Sequence, residues 1–308
     1  MTKFRSPGKL LITGEYCVLQ GAKSLAVPTS FGQTMSVEIS PSTTELVHWI
    51  SREVNDKIWL EVILVGDNLQ SNIKLDEQGE TLQKLLLYCK NKRPQIFEGQ
   101  SVKIETKLEF PRDWGLGSSS TFLSNLSQWT GISGLDLLWS QFSGSGCDVA
   151  TCLAGESIIY QLLEKDGKKE GKVERVNWDP VFKDQIWFIH LGQKQDSNAE
   201  ISKWKHNNSL SSCITEDFDA ITEQILVEDS LSEFKFLIST HEKMLSKILG
   251  MKRLKEAFFA DFPGEIKSLG AWGGDFFLAT GTQVEMQYFI EKGFKTILSF
   301  SEMIKTKN

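Results

Sequence analysis

The spacing of hydrophobic and polar residues changes repeatedly along this chain, and its first part has the spacing of strands. Short apolar runs predict strands over 9–13 and 22–27, and an alternation of apolar and polar residues predicts another over 33–39. Residues 46–51 and 57–65 are rich in β-branched and aromatic side chains, which predicts a hairpin. The chain is therefore predicted to begin as a β-sheet.

From residue 77 the hydrophobic residues recur at the three- and four-residue spacing of helices. Leucines recur at three- and four-residue spacing over 77–89, which predicts a helix with one buried face. Alternation over 101–110 predicts a strand, and further helices are predicted over 119–129 and 135–142. Strand, glycine-serine loop and helix follow one another here, which is the order that a phosphate-binding loop requires.

The second half of the chain contains stretches with the hydrophobic spacing of strands and stretches with that of helices. A polar, glycine-containing stretch over 164–172 predicts a boundary between an N-terminal domain, residues 1–165, and a C-terminal domain, residues 166–308. The mixture indicates an α+β fold with helices on one face of a small sheet. The predicted elements are strands over 157–163, 186–191, 275–279 and 294–300, a helix start at Ala199, two or three long helices over 215–259, and a helix over 283–292.

Composition and charge exclude some functions. Of the 308 residues, 40% are hydrophobic and 24% are charged, which is ordinary for a globular protein long enough for two domains. The formal net charge is −6, and no stripe of lysine and arginine runs along the chain. We therefore expect no nucleic-acid partner. No interface signal stands out from which an oligomeric state would follow.

The cysteines and the apolar runs bear on the cellular compartment. The five cysteines are an odd number and form no CxxC pair or zinc-binding spacing. We expect Cys17, Cys89, Cys147 and Cys152 to be small buried residues with reduced thiols. No signal peptide and no apolar stretch of membrane-spanning length is apparent. These features predict a cytoplasmic protein without a membrane partner.

The stretch WGLGSSS, Trp114 to Ser120, gives the clearest local indication of a binding site. Gly115 and Gly117 allow positive φ and a close approach of the backbone to a ligand. The serines after them fall where a helix N-terminus presents unpaired N–H groups and a positive dipole, which favours an anion. The same letters also fit an ordinary capped loop, so phosphate binding is one of two interpretations at this point.

Three further features fit phosphoryl transfer, in which a protein mainly positions groups and neutralises charge. Lys9 heads an apolar strand, where a cation is expensive to bury unless an anion meets it. Asp148 follows a glycine-rich turn, and residues 270–275 (GAWGGD) form another. Each feature taken alone also fits a surface lysine, a capping aspartate or a tight turn, so both interpretations stay open. The histidines are interpreted as ordinary residues: His48, His190, His206 and His241.

Four stretches together resemble the GHMP kinase superfamily, which includes galactokinase and homoserine, mevalonate and phosphomevalonate kinases. They occur in the family's order and span nearly the whole chain. Within the superfamily they resemble phosphomevalonate kinases most, and mevalonate kinases are close. The stretches are SPGKLLITGEYCVLQG at 6–21, WGLGSSS at 114–120, SGSGCDVA at 143–150 and KSLGAWGGDFF at 267–277.

The resemblance implies an N-terminal α/β ATP-binding domain and a C-terminal ferredoxin-like domain, with ATP and a small-molecule acceptor bound in the cleft between them. It also implies Mg²⁺ as a cofactor, held in part by Ser119. Asp148 would accept the proton of the attacking acceptor oxygen or orient it, and Lys9 would stabilise that oxygen. The residues implied to wrap the triphosphate are Gly115, Leu116, Gly117, Ser118, Ser119 and Ser120.

The implied acceptor-binding residues come from three places in the chain. Motif one supplies two of them, the stretch GQKQDSNAE at 192–200 supplies two candidates for an anionic acceptor, and the third motif supplies glycines. With these residues the implied acceptor is phosphomevalonate, within isoprenoid biosynthesis by the mevalonate pathway. The residues are Glu15, Tyr16, Lys194, Ser197, Gly270, Gly273 and Gly274.

Two departures from the family pattern leave alternatives open. The interval between Ser119 and Asp148 is shorter than usual, and it lacks the glutamate that holds Mg²⁺ in mevalonate kinases, for which Asp136 is the candidate replacement by position. Trp272 and Asp275 also replace glycines of the commonest third motif. The alternatives are a mevalonate kinase, another GHMP kinase with a different acceptor, and a non-catalytic nucleotide-binding relative.

Overall fold

The computed structural model describes residues 1–192, 212–270 and 275–306. Helices and strands alternate through these residues, so the fold is α+β as predicted. The strands are β1 (Thr2–Leu11), β2 (Ser24–Pro41), β3 (Leu46–Arg52), β4 (Ile58–Val65), β5 (Gln100–Leu108), β6 (Ile158–Lys165), β7 (Lys168–Arg175), β8 (Ile186–His190), β9 (Ile266–Ser268), β10 (Phe276–Thr280) and β11 (Ile297–Ser299). The helices are α1 (Glu77–Lys92), α2 (Ser118–Thr130), α3 (Gly134–Gln141), α4 (Cys147–Ala154), α5 (Ser212–Val227), α6 (Leu231–Leu249), α7 (Leu254–Phe258), α8 (Gln287–Glu291) and α9 (Phe300–Met303).

The first sheet has seven strands in the order β4-β3-β5-β2-β6-β7, with β1 paired to β2. Its pairs are antiparallel except β3 with β5, which is parallel, so the sheet is mixed. The prediction of separate strands over 22–27 and 33–39 is wrong, because both belong to β2. The glycine at 32 breaks the hydrophobic pattern but not the strand. A Cβ on Gly32 would lie 2.4 Å from the backbone oxygen of Ser6, so glycine is what lets β1 approach.

The second sheet has four strands in the order β11-β8-β10-β9, and the pairs of neighbouring strands are antiparallel. Helices α5 to α7 lie in sequence between β8 and β9, and α8 lies between β10 and β11. This succession of strands and helices is the ferredoxin-like arrangement. The ferredoxin-like prediction for the C-terminal part is therefore confirmed.

The described residues divide into two compact units. One contains residues 1–8, 31–112 and 117–153, and the other contains residues 9–30, 113–116 and the described residues from 154 onward. The predicted boundary stretch 164–172 forms the hairpin of β6 and β7, and the division at residue 165 stays a prediction.

Each unit has its own apolar core. In the first unit the leucine face of α1 packs with inward side chains of β2 to β5, including the fully buried Trp49. In the second unit Phe259, Phe262, Phe277 and Phe289 form an aromatic core beside the four-stranded sheet. Burial of this much apolar surface is the main favourable term in the stability of each unit. The cysteines at 17, 89, 147 and 152 are buried and not disulfide-bonded, as predicted.

Two C-terminal predictions have the wrong bounds. The predicted helix over 283–292 is reduced to α8, because the N–H of Thr282 donates to Glu285 and the chain forms a turn first. The predicted strand over 294–300 is reduced to β11, because Ser299 and Glu302 form a capping box that begins α9. Within the described residues, no helix is long and apolar enough to cross a membrane.

Candidate active site

The WGLGSSS loop leads directly into α2. Gly115 and Gly117 have φ values of +65° and +84°, in the left-handed region that favours glycine. Gly117 is the N-cap of α2 and has no side chain with which to accept from the first turn. By contrast, the Asp76 side chain caps α1 and the Ser230 side chain caps α6. The N–H groups at the start of α2 are therefore left to a ligand, which fits the predicted anion site.

Buried polar contacts fix the position of α2 in the first unit. The Nδ2 of Asn125 donates to the backbone oxygen of Gln33, 2.9 Å away, and so ties α2 to β2. The Oγ of Ser6, on β1, lies 2.8 Å from Oδ1 of Asn125 and 2.7 Å from Oγ of Ser124. Buried polar groups that are satisfied in this way specify one arrangement, because an unpaired group there is costly. The start of α2 is thus rigidly placed on the sheet.

Asp148 lies in the same unit, in the first turn of α4, and is half-buried. Gly146, with φ of +89°, and the Oγ of Ser145, which accepts from the N–H of Cys147, shape the turn before it. The helix comes close to the start of α3. A Cβ on Gly134 would lie only 3.0 Å from Cγ1 of Val149, so α4 packs tightly there.

Motif one meets the ATP-loop motif in the second unit. The N–H of Lys9 donates to the backbone oxygen of Leu116 at 3.0 Å. Leu116 is fully buried, and Lys9 is 9% exposed. The predicted catalytic lysine and the predicted phosphate loop are therefore hydrogen-bonded neighbours, although they are far apart in sequence.

The third motif meets the same loop. A Cβ on Gly115 would lie 2.0 Å from Oδ2 of Asp275, so only glycine fits against this carboxylate. Asp275 itself has φ of +53° and directly precedes β10. A Cβ on Gly270, where φ is +74°, would lie 3.8 Å from the same oxygen. The missing side chain at Gly115 therefore allows the second and third motifs to come together, whereas at Gly270 a Cβ would be in ordinary contact and glycine suits the positive φ.

Aromatic side chains pack against the start of the WGLGSSS loop. Trp114 packs edge-to-face against Phe276, with ring centroids 5.5 Å apart. The Nε2 of His190 lies 3.1 Å from the backbone oxygen of Asp113, which assigns the N–H to Nε2. His190, predicted to be an ordinary residue, therefore helps to hold the loop.

A buried charge cluster, consisting of Glu15, His241, Glu242 and Lys267, lies in the second unit. Lys267 Nζ donates to Glu15 Oε1 at 2.5 Å and to the backbone oxygen of Ser268 at 3.0 Å. Glu242 Oε1 lies 3.9 Å from Lys267 Nζ, and Glu15 Oε2 lies 3.6 Å from His241 Nε2. The exposure of these side chains is between 0% and 3%. The cluster joins motif one to α6 and to β9.

Burial governs the protonation of this cluster. Burial raises the pKa of Glu242 to about 8, although Lys267 opposes the rise. Burial also raises the pKa of Glu15, again against the effect of Lys267. Burial and the nearby Lys267 hold the pKa of His241 well below its usual value. The N–H of Gly14 donates to His241 Nε2 at 3.0 Å, so the imidazole is neutral with its proton on Nδ1.

Sequence reasoning missed His241, Glu242 and Lys267 as members of the site region. A signal was present, because His241 and Glu242 fall on the same helical stripe as the buried Phe234, Leu237, Ile238 and Leu245. Charged residues on a buried stripe need partners. The partner, Lys267, begins the KSLGAWGGDFF stretch, in which the sequence pattern assigns roles to residues 270–275 and none to Lys267.

The remaining predicted residues are placed as follows. Tyr16 has φ of +62° and packs with Cys17, Ala22, Phe218 and Leu245 in a small apolar cluster. Lys194, Ser197, Gly273 and Gly274, together with Trp272, lie outside the described residues. The substrate-binding roles of Glu15, Tyr16 and Gly270 stay predictions.

The ATP and Mg²⁺ predictions can be compared with the residues present. Ser118, Ser119 and Ser120 are the first three residues of α2, and Ser119 is exposed. Among the described residues, no group of three or more His, Cys, Asp and Glu side chains is arranged to hold a metal ion. Mg²⁺ in kinases is usually bound by one or two carboxylates together with substrate phosphates, and the exposed Ser119 would add a hydroxyl ligand to such a site.

Comparison with known proteins gives the fold. No protein-family model and no curated protein sequence matches this chain. Phosphomevalonate kinase of Streptococcus pneumoniae, in complex with phosphomevalonate and AMPPNP, matches with a TM-score of 0.69 and 16% identity, over 97% of this chain and 100% of that one. Mevalonate kinase of Methanococcus jannaschii matches with a TM-score of 0.69 and 14% identity, over 100% and 98%. Galactokinase of Lactococcus lactis, complexed with galactose, matches with a TM-score of 0.66 and 11% identity, over 99% and 94%.

These matches extend over the whole length of each chain. The fold is that of the GHMP kinases, with a mixed seven-stranded sheet and a four-stranded ferredoxin-like sheet. Mevalonate, phosphomevalonate and galactose kinases share this fold at similar scores, so the fold alone does not select an acceptor.

Proposed function

We propose that this chain is an ATP- and Mg²⁺-dependent small-molecule kinase. The observation that carries the proposal is that residues from three of the four motif stretches contact one another within the second unit. Lys9 bonds to Leu116, Gly115 fits against Asp275, and Glu15 pairs with Lys267. Unrelated tight turns have no reason to converge in this way.

Residues 115–120 would hold the triphosphate, through the N–H groups at the start of α2 and the backbone of two left-handed glycines. The Ser119 hydroxyl would be a ligand of Mg²⁺. When bound, the ion neutralises charge on the phosphate oxygens. The chain's own task is to hold the loop in place, which the contacts of Asn125 and Trp114 support.

Phosphoryl transfer also needs a group that handles the acceptor proton. Asp148 would accept the proton as the acceptor oxygen attacks the γ-phosphorus, while the bond to the bridging oxygen of ADP breaks. Lys9 would stabilise the negative charge that develops on the attacking oxygen. Both assignments follow from the motif resemblance.

The proposed acceptor is phosphomevalonate, and mevalonate or another small alcohol is the alternative. Support comes from the GEY letters of motif one, the GSGCDVA turn and the aspartate that ends GGD. The phosphomevalonate kinase of Streptococcus pneumoniae, which has the same fold, binds phosphomevalonate. The proposal includes a cytoplasmic location and a role in the mevalonate pathway.

A second candidate is a nucleotide-binding relative without catalytic activity. It is favoured by the short interval between Ser119 and Asp148 and by Trp272 in the third motif. Such a protein would bind ATP at the same residues as the proposed kinase but would not transfer the phosphoryl group.

One experiment separates these candidates. ATP consumption is measured with phosphomevalonate, mevalonate, homoserine and galactose, and AMPPNP binding is measured by calorimetry. We expect AMPPNP binding and ATP consumption that is fastest with phosphomevalonate. Binding without consumption would establish the second candidate, and the absence of binding would contradict both.

A further inference from the structure

The buried charge cluster has a role that the motifs do not assign. We propose that Lys267 is a positioning residue for phosphoryl transfer: its pair with Glu15 holds the Lys9 segment and strand β9 in register. The proposal rests on the proposed kinase function.

The contacts of Lys267 reach three segments at once. Its Nζ donates to Glu15 Oε1 of motif one and to the backbone oxygen of Ser268 on β9, and it lies 3.9 Å from Glu242 Oε1 on α6. Lys267 is fully buried, so solvent cannot replace any of these partners. A charge in such a site is stable only while its partners stay in place.

Both segments joined by this pair belong to the candidate site. Glu15 shares motif one with Lys9, whose backbone is bonded to Leu116 of the ATP loop. Lys267 lies on β9, which pairs with β10, and β10 directly follows Asp275, whose carboxylate lies against Gly115. A shift of Lys267 would therefore move the catalytic lysine and the third motif relative to the ATP loop. Displacements of about 1 Å at remote residues cost about 10²-fold in rate.

The cluster contains two carboxyl groups and one ammonium. Glu15 and Glu242 face the ammonium of Lys267, and His241 is neutral because Gly14 donates to its Nε2. Arg253 and Cys17 are further charged or titratable groups that interact electrostatically with members of the cluster. Because burial raises the pKa of Glu242 to about 8, Glu242 is protonated at neutral pH and Lys267 pairs with Glu15 alone. Above that pH the Glu242 carboxylate competes for Lys267.

The test compares substitutions at the pair with a matched lysine. Lys255 lies in the same unit, donates to the backbone oxygen of Gly264 and pairs with Glu265 at 3.5 Å, so Lys255→Met is the control. The kcat per folded molecule and the KM for ATP are measured, well below the melting temperature, with the best acceptor of the wild type. We expect Lys267→Met to lower kcat about 10²-fold with little change in KM, and Lys255→Met to leave kcat unchanged.

Two further variants separate positioning from direct chemistry and from loss of folding. The double variant Lys267→Met/Glu15→Gln removes both partners of the pair, and we expect its kcat to be no lower than that of Lys267→Met, since Lys267 acts through Glu15. We expect the kcat of the wild type to fall above pH about 8, where the Glu242 carboxylate competes for Lys267, and we expect Glu242→Gln to abolish this fall.

The outcomes are distinct. A wild type that consumes no ATP with any acceptor overturns the kinase function and this proposal with it. An active wild type with equal kcat in Lys267→Met overturns only this proposal. A further fall of kcat in the double variant, or an alkaline fall unchanged in Glu242→Gln, also overturns it, because Lys267 would then act in another way.

Discussion

Gly115 and Asp275 are in direct contact, and the contact leaves no room for a side chain at residue 115. A Cβ there would lie 2.0 Å from Oδ2 and 2.1 Å from Cγ of Asp275. The glycine of the ATP loop and the aspartate of the third motif therefore depend on each other. Where the commonest third motif has a glycine at this place, such a restriction would not arise.

This contact predicts the effect of Gly115→Ala. The new methyl group would displace the loop or Asp275, so we expect AMPPNP binding to weaken by at least about 10-fold, or about 1.4 kcal/mol. Calorimetry measures the change. Gly99→Ala is the control, because Gly99 has a similar φ of +67° and nothing within 4 Å of its Cβ position.

The control separates crowding from backbone strain. Both substitutions carry about 1–2 kcal/mol of left-handed strain, but only Gly115→Ala meets a carboxylate. The double variant Gly115→Ala/Asp275→Gly should recover much of the lost binding. Equal losses in Gly115→Ala and Gly99→Ala would mean that the Asp275 contact has no influence.

Asp148→Asn tests the proposed proton acceptor. We expect kcat to fall by about 10²–10⁴-fold, because an amide cannot accept the proton from the attacking oxygen. AMPPNP affinity should stay within about 3-fold of wild type, which corresponds to less than about 1 kcal/mol. Asp67→Asn is the control, since the Asp67 side chain is exposed, lies in the same unit and has no assigned role. Turnover close to that of wild type in Asp148→Asn would remove Asp148 from the mechanism.

Glu242 predicts a pH-dependent stability. Its pKa is raised in the folded state from an ordinary 4.5 to about 8, so the folded chain holds an extra proton between these values. The stabilisation is fully present below pH 4.5 and is lost as pH rises to 8, by up to about 1.4 kcal/mol per pH unit. His241 changes stability with pH in the opposite direction. Below pH 6.5, its usual pKa, the unfolded chain binds a proton that the folded chain does not, so stability falls as pH falls.

Comparison of Tm across pH 5–9 in wild type and Glu242→Gln isolates the Glu242 contribution, since His241 is common to both. We expect the variant to gain stability relative to wild type as pH rises to about 8, and the difference to level off beyond it. Glu291→Gln, an exposed residue on α8, should show a constant difference. A constant difference for Glu242→Gln as well would contradict the assigned protonation.

His241→Phe tests the acceptor role of the imidazole. It leaves the N–H of Gly14 buried without its acceptor, so we expect a loss of about 1–3 kcal/mol in the free energy of unfolding. His241→Gln keeps an acceptor oxygen and should lose less. His48→Phe, at a partly exposed histidine paired with Glu61, should change stability by less than about 0.5 kcal/mol. Equal losses in His241→Phe and His241→Gln would show that packing, and not this hydrogen bond, matters at residue 241.

Local patterns in the sequence predicted most elements of the fold. The hairpin of β3 and β4, helix α1 and strand β5 were found close to their true bounds, because each has one buried face and therefore a clear period. The predictions are wrong where the local sequence indicates the end of an element and a tertiary contact lets the element continue. Gly32 has the appearance of a strand end, yet β2 continues through it because β1 requires a residue without a side chain there.

The sequence by itself determined the superfamily resemblance and the three motifs, since these depend on residue types at short spacing. Only the tertiary structure decided which residues surround them. Lys267 and Glu15 are 252 positions apart, and Gly115 and Asp275 come from different motifs, so no local pattern records either contact. The effect of a buried charge, or of a residue without a Cβ, depends on the atom that it faces in the folded chain. For Lys267 that atom is a carboxylate oxygen of Glu15, and the packing of β9, α6 and motif one brings the two together.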